Sequence, residues 1–229
     1  MPEQAARAKT EGEIVYSVVE YTAVFRTPIL EAWAAPAFLI KRVLKALETW
    51  GFRLDGVEDK TRGVEKLADY AIVFRRTGPP APGVTISVGV GKVVIAIENP
   101  AWTEAEQLLG TMNATLSAVV EIGQAEIQSQ HLALLMHIQV KTRSRKEVTA
   151  PLLSPLALQM LDGDVTFPGI ILQREKSSVV VDASLAYANG LFVRMVREHP
   201  PERTLQELAG ILRKDEEQLF SVLGLEGIL

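Results

Sequence analysis

Cysteine is absent from all 229 residues. That absence removes disulfides, thiolate nucleophiles and cysteine-based zinc sites together, and it fits a reducing compartment. No charge of one sign dominates: 24 basic and 28 acidic side chains leave a net charge of −4. The chain as a whole therefore has no attraction to nucleic acid or an anionic membrane. No apolar run approaches the ~20 residues that span a bilayer; the longest, Leu132–Val140, is interrupted by His137 and Gln139. Residues 1–12 are polar without an apolar centre, which is not the pattern of a signal peptide. A disordered start and a cytoplasmic protein are expected. HExxH, GxSxG, Walker A and GxGxxG motifs are all missing.

What is present suits a packed globular chain. Hydrophobic residues make up 48% and charged residues 23%, enough for one large domain or two small ones. Residues 13–26 alternate as a strand through Ile14, Tyr16 and Val18, with a register change expected before Val24. Pro36 suits a first helical turn, and Phe38, Ile40, Val43, Leu44, Leu47 and Trp50 recur at helical spacing up to Gly51. A short strand over Phe52–Val57 and a charged loop over Glu58–Lys66 are expected next. Tyr70, Ile72 and Phe74 mark a strand, 77–83 a proline-rich loop, and Val84–Val90 with Lys92–Glu98 a hairpin around Gly91. Gly89 and Gly91 suit a bulge or a close approach there. A capping box at Thr103 and Glu106 opens a helix over 103–123.

The second half repeats that order less sharply. Ile127–Thr142 is a long strand pattern, with Leu132, Leu134, Met136, Ile138 and Val140 on one face and His131, Leu135, His137 and Gln139 on the other. A short helix is expected near 155–161, closed at Asp162-Gly163-Asp164. A hairpin follows around Glu175–Ser177, and Asn189-Gly190 signals a tight turn before a strand over Leu191–Glu198. A capping box at Thr204 and Glu207 starts a helix ending near Arg213, with another beginning at Asp215.

The expected class is therefore α+β: curved antiparallel sheet with covering helices, in two β-α-β(3-4)-α units over 13–126 and 127–229 that form two domains or one. The element order resembles helix-grip and TATA-binding-protein-like units, as an architectural analogy that carries no function.

Candidate functional residues fall in three groups. The basic run Lys141, Arg143, Arg145 and Lys146 would project from one side if the strand continued, a geometry able to track phosphates. The scarcity of aromatics nearby argues against single-stranded nucleic acid. Leu109, Met112, Leu116 and Val120 on the 103–123 helix would line an apolar small-molecule site against a curved sheet. Leu212, Leu219, Phe220 and Leu223 would form an interaction tail. His131 and His137 share a strand face about 20 Å apart at ~3.3 Å per residue, too far for one metal ion. Asp162 and Asp164 lack the further oxygen ligands of a calcium loop, and no metal or cofactor is expected. The leading expectation is a non-catalytic binding or assembly module that engages another protein, or itself, through a sheet edge and apolar helices. An apolar ligand is the alternative, and a nucleic acid or other anionic partner at 141–146 the lesser one.

Overall fold

The computed structural model describes residues 12–61, 65–76, 83–100, 105–153 and 169–225. Nine strands form one antiparallel sheet: β1 (Gly12–Phe25), β2 (Val57–Asp59), β3 (Ala71–Arg76), β4 (Val84–Gly89), β5 (Lys92–Glu98), β6 (Ile127–Val140), β7 (Ile170–Arg174), β8 (Ser177–Ala183) and β9 (Gly190–His199). Among the described residues five helices accompany them: α1 (Leu30–Trp33), α2 (Pro36–Ala46), α3 (Ala105–Gly123), α4 (Arg145–Thr149) and α5 (Leu205–Leu223). The sheet order is β2-β3-β4-β5-β1-β6-β9-β8-β7. In each half of that order the first strand in sequence lies innermost and the later ones follow in reverse. Each half also ends in a helix of 19 residues, α3 and α5.

The chain divides into two compact units, residues 18–133 with 196–209 and residues 1–17 with 134–195 and 210–229. The boundaries fall inside β1, β6, β9 and α5.

In the 18–133 unit, alternation along the strands builds the core. Cross-strand pairing aligns Phe74 with Ile86, Ile86 with Ile95 and Ile95 with Tyr21, giving a row of four side chains that are fully buried. Each of Phe74, Ile86 and Ile95 contributes about 1.5–3 kcal/mol on transfer from water. Leu39, Val43, Leu47, Leu108, Met112 and Val119 bring the apolar stripes of α2 and α3 into the same interior. Gly110 lets α3 approach Trp50: a Cβ there would sit 2.6 Å from Trp50 Cη2. β1 runs unbroken, and its buried residues are Gly12, Tyr21, Ala23 and Phe25, with Val24 half-buried on the other face. The strand pattern at 52–57 gives instead a 3₁₀ turn, Leu54–Gly56, with the strand starting at Val57.

In the 134–195 unit, Leu134, Met136, Ile138 and Val140 of β6 are buried, as are Val181, Leu191, Val193, Leu212, Leu219, Phe220 and Leu223. α5 is one helix. The break expected between Arg213 and Asp215 does not occur, because no proline or glycine lies between Arg213 and Leu223 and Arg213 pairs with Glu217 one turn on at 3.1 Å. Its expected capping box is present: Thr204 N donates to Glu207 Oε2 at 2.8 Å, and Glu207 N donates to Thr204 Oγ1 at 3.2 Å. Asn189 adopts a positive φ of 53°, but the turn it closes is a six-residue loop from Ser184 to Asn189 rather than a two-residue one. Ser184 explains the extra length, since its Oγ accepts from the amides of Ala186 and Tyr187 and winds the loop into a turn. The expected helix at 155–161, Asp162 and Asp164, the loop at 77–82 and Thr103 lie outside the described residues.

Candidate functional site

The two ends of the sheet are built differently. β2 is three residues long, and its side chains are engaged. Glu58 takes Arg75 at 2.7 Å and Lys60 at 3.7 Å, while Asp59 Oδ1 accepts from Thr61 N and Oγ1 at 3.0 and 2.7 Å. A short, charged strand closed by such a turn offers little ladder to another chain.

At the other end, β7 reads Ile170-Ile171-Leu172-Gln173-Arg174. Its β-branched residues favour extended backbone, and the two-residue turn Glu175-Lys176 folds it onto β8 with Ile170 opposite Val181 and Arg174 opposite Ser177. β8 occupies one flank; among the described residues no strand occupies the other. Ile170 is buried, yet Ile171 is 68% and Leu172 44% exposed. Consecutive residues point to opposite faces, so β7 presents apolar side chains on both sides of an open ladder. None of the usual edge guards, a lysine, a proline or extreme shortness, lies within Ile170–Leu172.

A second cluster gathers half-buried side chains of the same unit. The His137 ring sits 5.3 Å from Phe192, 5.7 Å from Tyr187 and 6.1 Å from Tyr16, all tilted. Its Nδ1 lies 2.8 Å from Ser184 Oγ. This serine–histidine contact is a packed turn rather than an activated nucleophile. Ser184 is buried, and two backbone amides already occupy its oxygen lone pairs, leaving the hydroxyl proton for Nδ1.

The basic run is dispersed by the fold. β6 stops at Val140, so the period-two projection of Lys141, Arg143 and Arg145 does not form. Ser144 is the reason: with Glu147 it makes a capping box that turns the chain into α4. Lys141 Nζ pairs with Glu13 at 2.8 Å, and that ammonium holds the Glu13 carboxyl below its usual pKa. Arg143 Nη2 donates to the carbonyls of Leu223 and Gly224 at 3.2 and 2.6 Å, capping α5. Arg145 and Lys146 open α4 half-buried.

The α3 set is also divided. Met112 is buried in the core, whereas Leu109, Leu116 and Val120 lie half-buried along one shoulder of the helix. Leu212, Leu219, Phe220 and Leu223 are buried, so they would meet a partner only if α5 left its seat. His131 and His137 are both half-buried, and His131 Nε2 lies 3.3 Å from Ser129 Oγ. Among the described residues no group of three or more His, Asp or Glu is placed to hold a metal ion, and no helix is long and apolar enough to cross a membrane.

Comparison with protein-family models and with curated protein sequences returns no match. The geometry of the chain itself is what points to a site. The edge residues Ile171 and Leu172 were not singled out by their sequence pattern. The available signal was a run of three apolar residues without alternation, which an ordinary half-buried strand does not show.

Proposed function

We propose that this chain is a non-catalytic binding or assembly module, and that its working surface is the open edge of β7. The observation that carries this reading is the exposure of Ile171 and Leu172 on the terminal strand, along an edge that no strand among the described residues pairs with. A protein segment in extended conformation supplies what that edge lacks: ladder partners along its length and apolar side chains on both faces. Main-chain bonds give the affinity, and the alternating side chains give the selection. The asymmetry of the sheet supports the reading, because the β2 end carries guards that the Ile170–Leu172 stretch of β7 is without. The two halves, each with its first strand innermost and a long helix last, fit tandem helix-grip-like units.

Binding of a fluorescent peptide with the sequence of residues 169–176, GIILQREK, tests the proposal by anisotropy. Saturable binding to the wild-type chain is expected, with a loss of about tenfold or more in affinity for Ile171→Lys, equivalent to ~1.4 kcal/mol. Equal binding to both chains, or none to either, would overturn it. Ile171 is exposed, so the lysine does not enter the core.

A further inference from the structure

We infer that the strand which fills the β7 edge is β7 of a second copy of this chain, paired antiparallel about Ile171; this rests on the edge reading above. The argument is one of self-complementarity. A two-fold axis perpendicular to a sheet joins two edges antiparallel and keeps like faces on the same side. Directly opposed residues must then share a face, so the symmetric registers centre on a residue rather than between two.

Two registers keep the described strand paired along most of its length. Centring on Leu172 sets Ile170 against Arg174 and Ile171 against Gln173, so each isoleucine is set opposite a polar partner. Centring on Ile171 sets Ile171 against its own symmetry mate on one face and Ile170 against Leu172 on the other. That register pairs each apolar residue of the strand with another and takes Arg174 beyond the apolar segment. Apolar cross-strand pairs are the favourable unit of sheet pairing, so the edge sequence selects the second register. Leu172, 44% exposed beside the buried Ile170, then meets a partner's Ile170 and completes the apolar layer on that face. The result is one sheet continued through two copies, with the guarded β2 strands left at its outer ends.

The absence of cysteine makes the register directly readable. Opposed residues in an antiparallel pair have Cα atoms about 4.5–5.5 Å apart, within the reach of a disulfide. Under mild oxidation, full-length Ile171→Cys is expected to give a covalent dimer at least about tenfold faster than Gln173→Cys. Leu185→Cys, on the exposed Ser184–Asn189 loop, reports random collision. Sedimentation of the unmodified chain is expected to show a dimer that Ile171→Lys converts to monomer. Faster crosslinking at Gln173 than at Ile171 would overturn the register, and crosslinking at Ile171 no faster than at Leu185 would overturn the pairing. A chain that stays monomeric yet binds the 169–176 peptide would overturn self-pairing while leaving the edge reading intact. Failure of both measurements would remove the two together.

Discussion

Tyr21 donates its hydroxyl to Gln130 Oε1 at 2.7 Å across 109 residues of chain. Both residues are buried, and burial pushes the Tyr21 pKa well above its ordinary value. The Gln130 amide nitrogen in turn donates to the carbonyls of Pro200, Pro201 and Arg203, each at 3.0 Å. One side chain thus satisfies a buried phenol and the backbone of the turn between β9 and α5. Tyr21→Phe leaves Gln130 Oε1 unsatisfied and is expected to cost about 1–3 kcal/mol. Gln130→Ala is expected to cost more and to raise hydrogen exchange in the turn that precedes α5. Chemical denaturation checks the first, and exchange mass spectrometry the second.

Gly110 and Gly210 both lie in long helices and are expected to respond to alanine with opposite sign. A Cβ at Gly110 meets the Trp50 ring at 2.6 Å, so Gly110→Ala forces the helix or the ring aside. Overpacking of this kind costs about 1–3 kcal/mol. Gly210 is exposed and has nothing within 4 Å of the corresponding position. Gly210→Ala removes backbone entropy from the unfolded chain and is expected to stabilise by about 0.5–1 kcal/mol. Denaturant midpoints of the two variants decide it.

Acid sensitivity is expected from His199. Burial, then the cations of Arg197 and Arg203 and the neighbouring His131, hold its pKa below the ordinary 6.5. Unfolded His199 therefore binds a proton in a range where the folded residue does not. Its contribution is complete above about pH 6.5 and is lost as pH falls from there through the lower folded pKa. Glu147 and Glu207, held low by their bonds to Ser144 and Thr204, act only below their usual 4.5. Stability measured by denaturant from about pH 8 down to about pH 5 should fall, and His199→Gln should flatten that slope.

The helical stripes of α2, α3 and α5 were legible because periodicity depends on neighbours within a turn or two. The same is true of the Thr204–Glu207 cap, the hairpin around Gly91 and the strand identity of β6 and β9. What stayed hidden depends on which distant segments meet. Nothing near Gln130 marks it as a hub, since its backbone acceptors come 70 residues later. The break expected at Arg213–Asp215 is bridged within one helix, where Arg213 pairs with Glu217. Alignment of Lys141, Arg143 and Arg145 depended on β6 continuing past Thr142, and the Ser144 and Glu147 side chains decide otherwise. The role of Ile171 was invisible for a topological reason. Its sequence announces a strand, but only the order of the whole sheet makes that strand the last one.

Hydrogen exchange of the β7 amides in the intact chain, followed as the 169–176 peptide is added, tests the central claim most directly. The account predicts that amides of Ile170–Arg174 turned away from β8 exchange rapidly in dilute protein, gain protection on titration, and fail to do so in Ile171→Lys. Exchange at β7 that stays unchanged at saturating peptide, or protection that arises on another element instead, would contradict it.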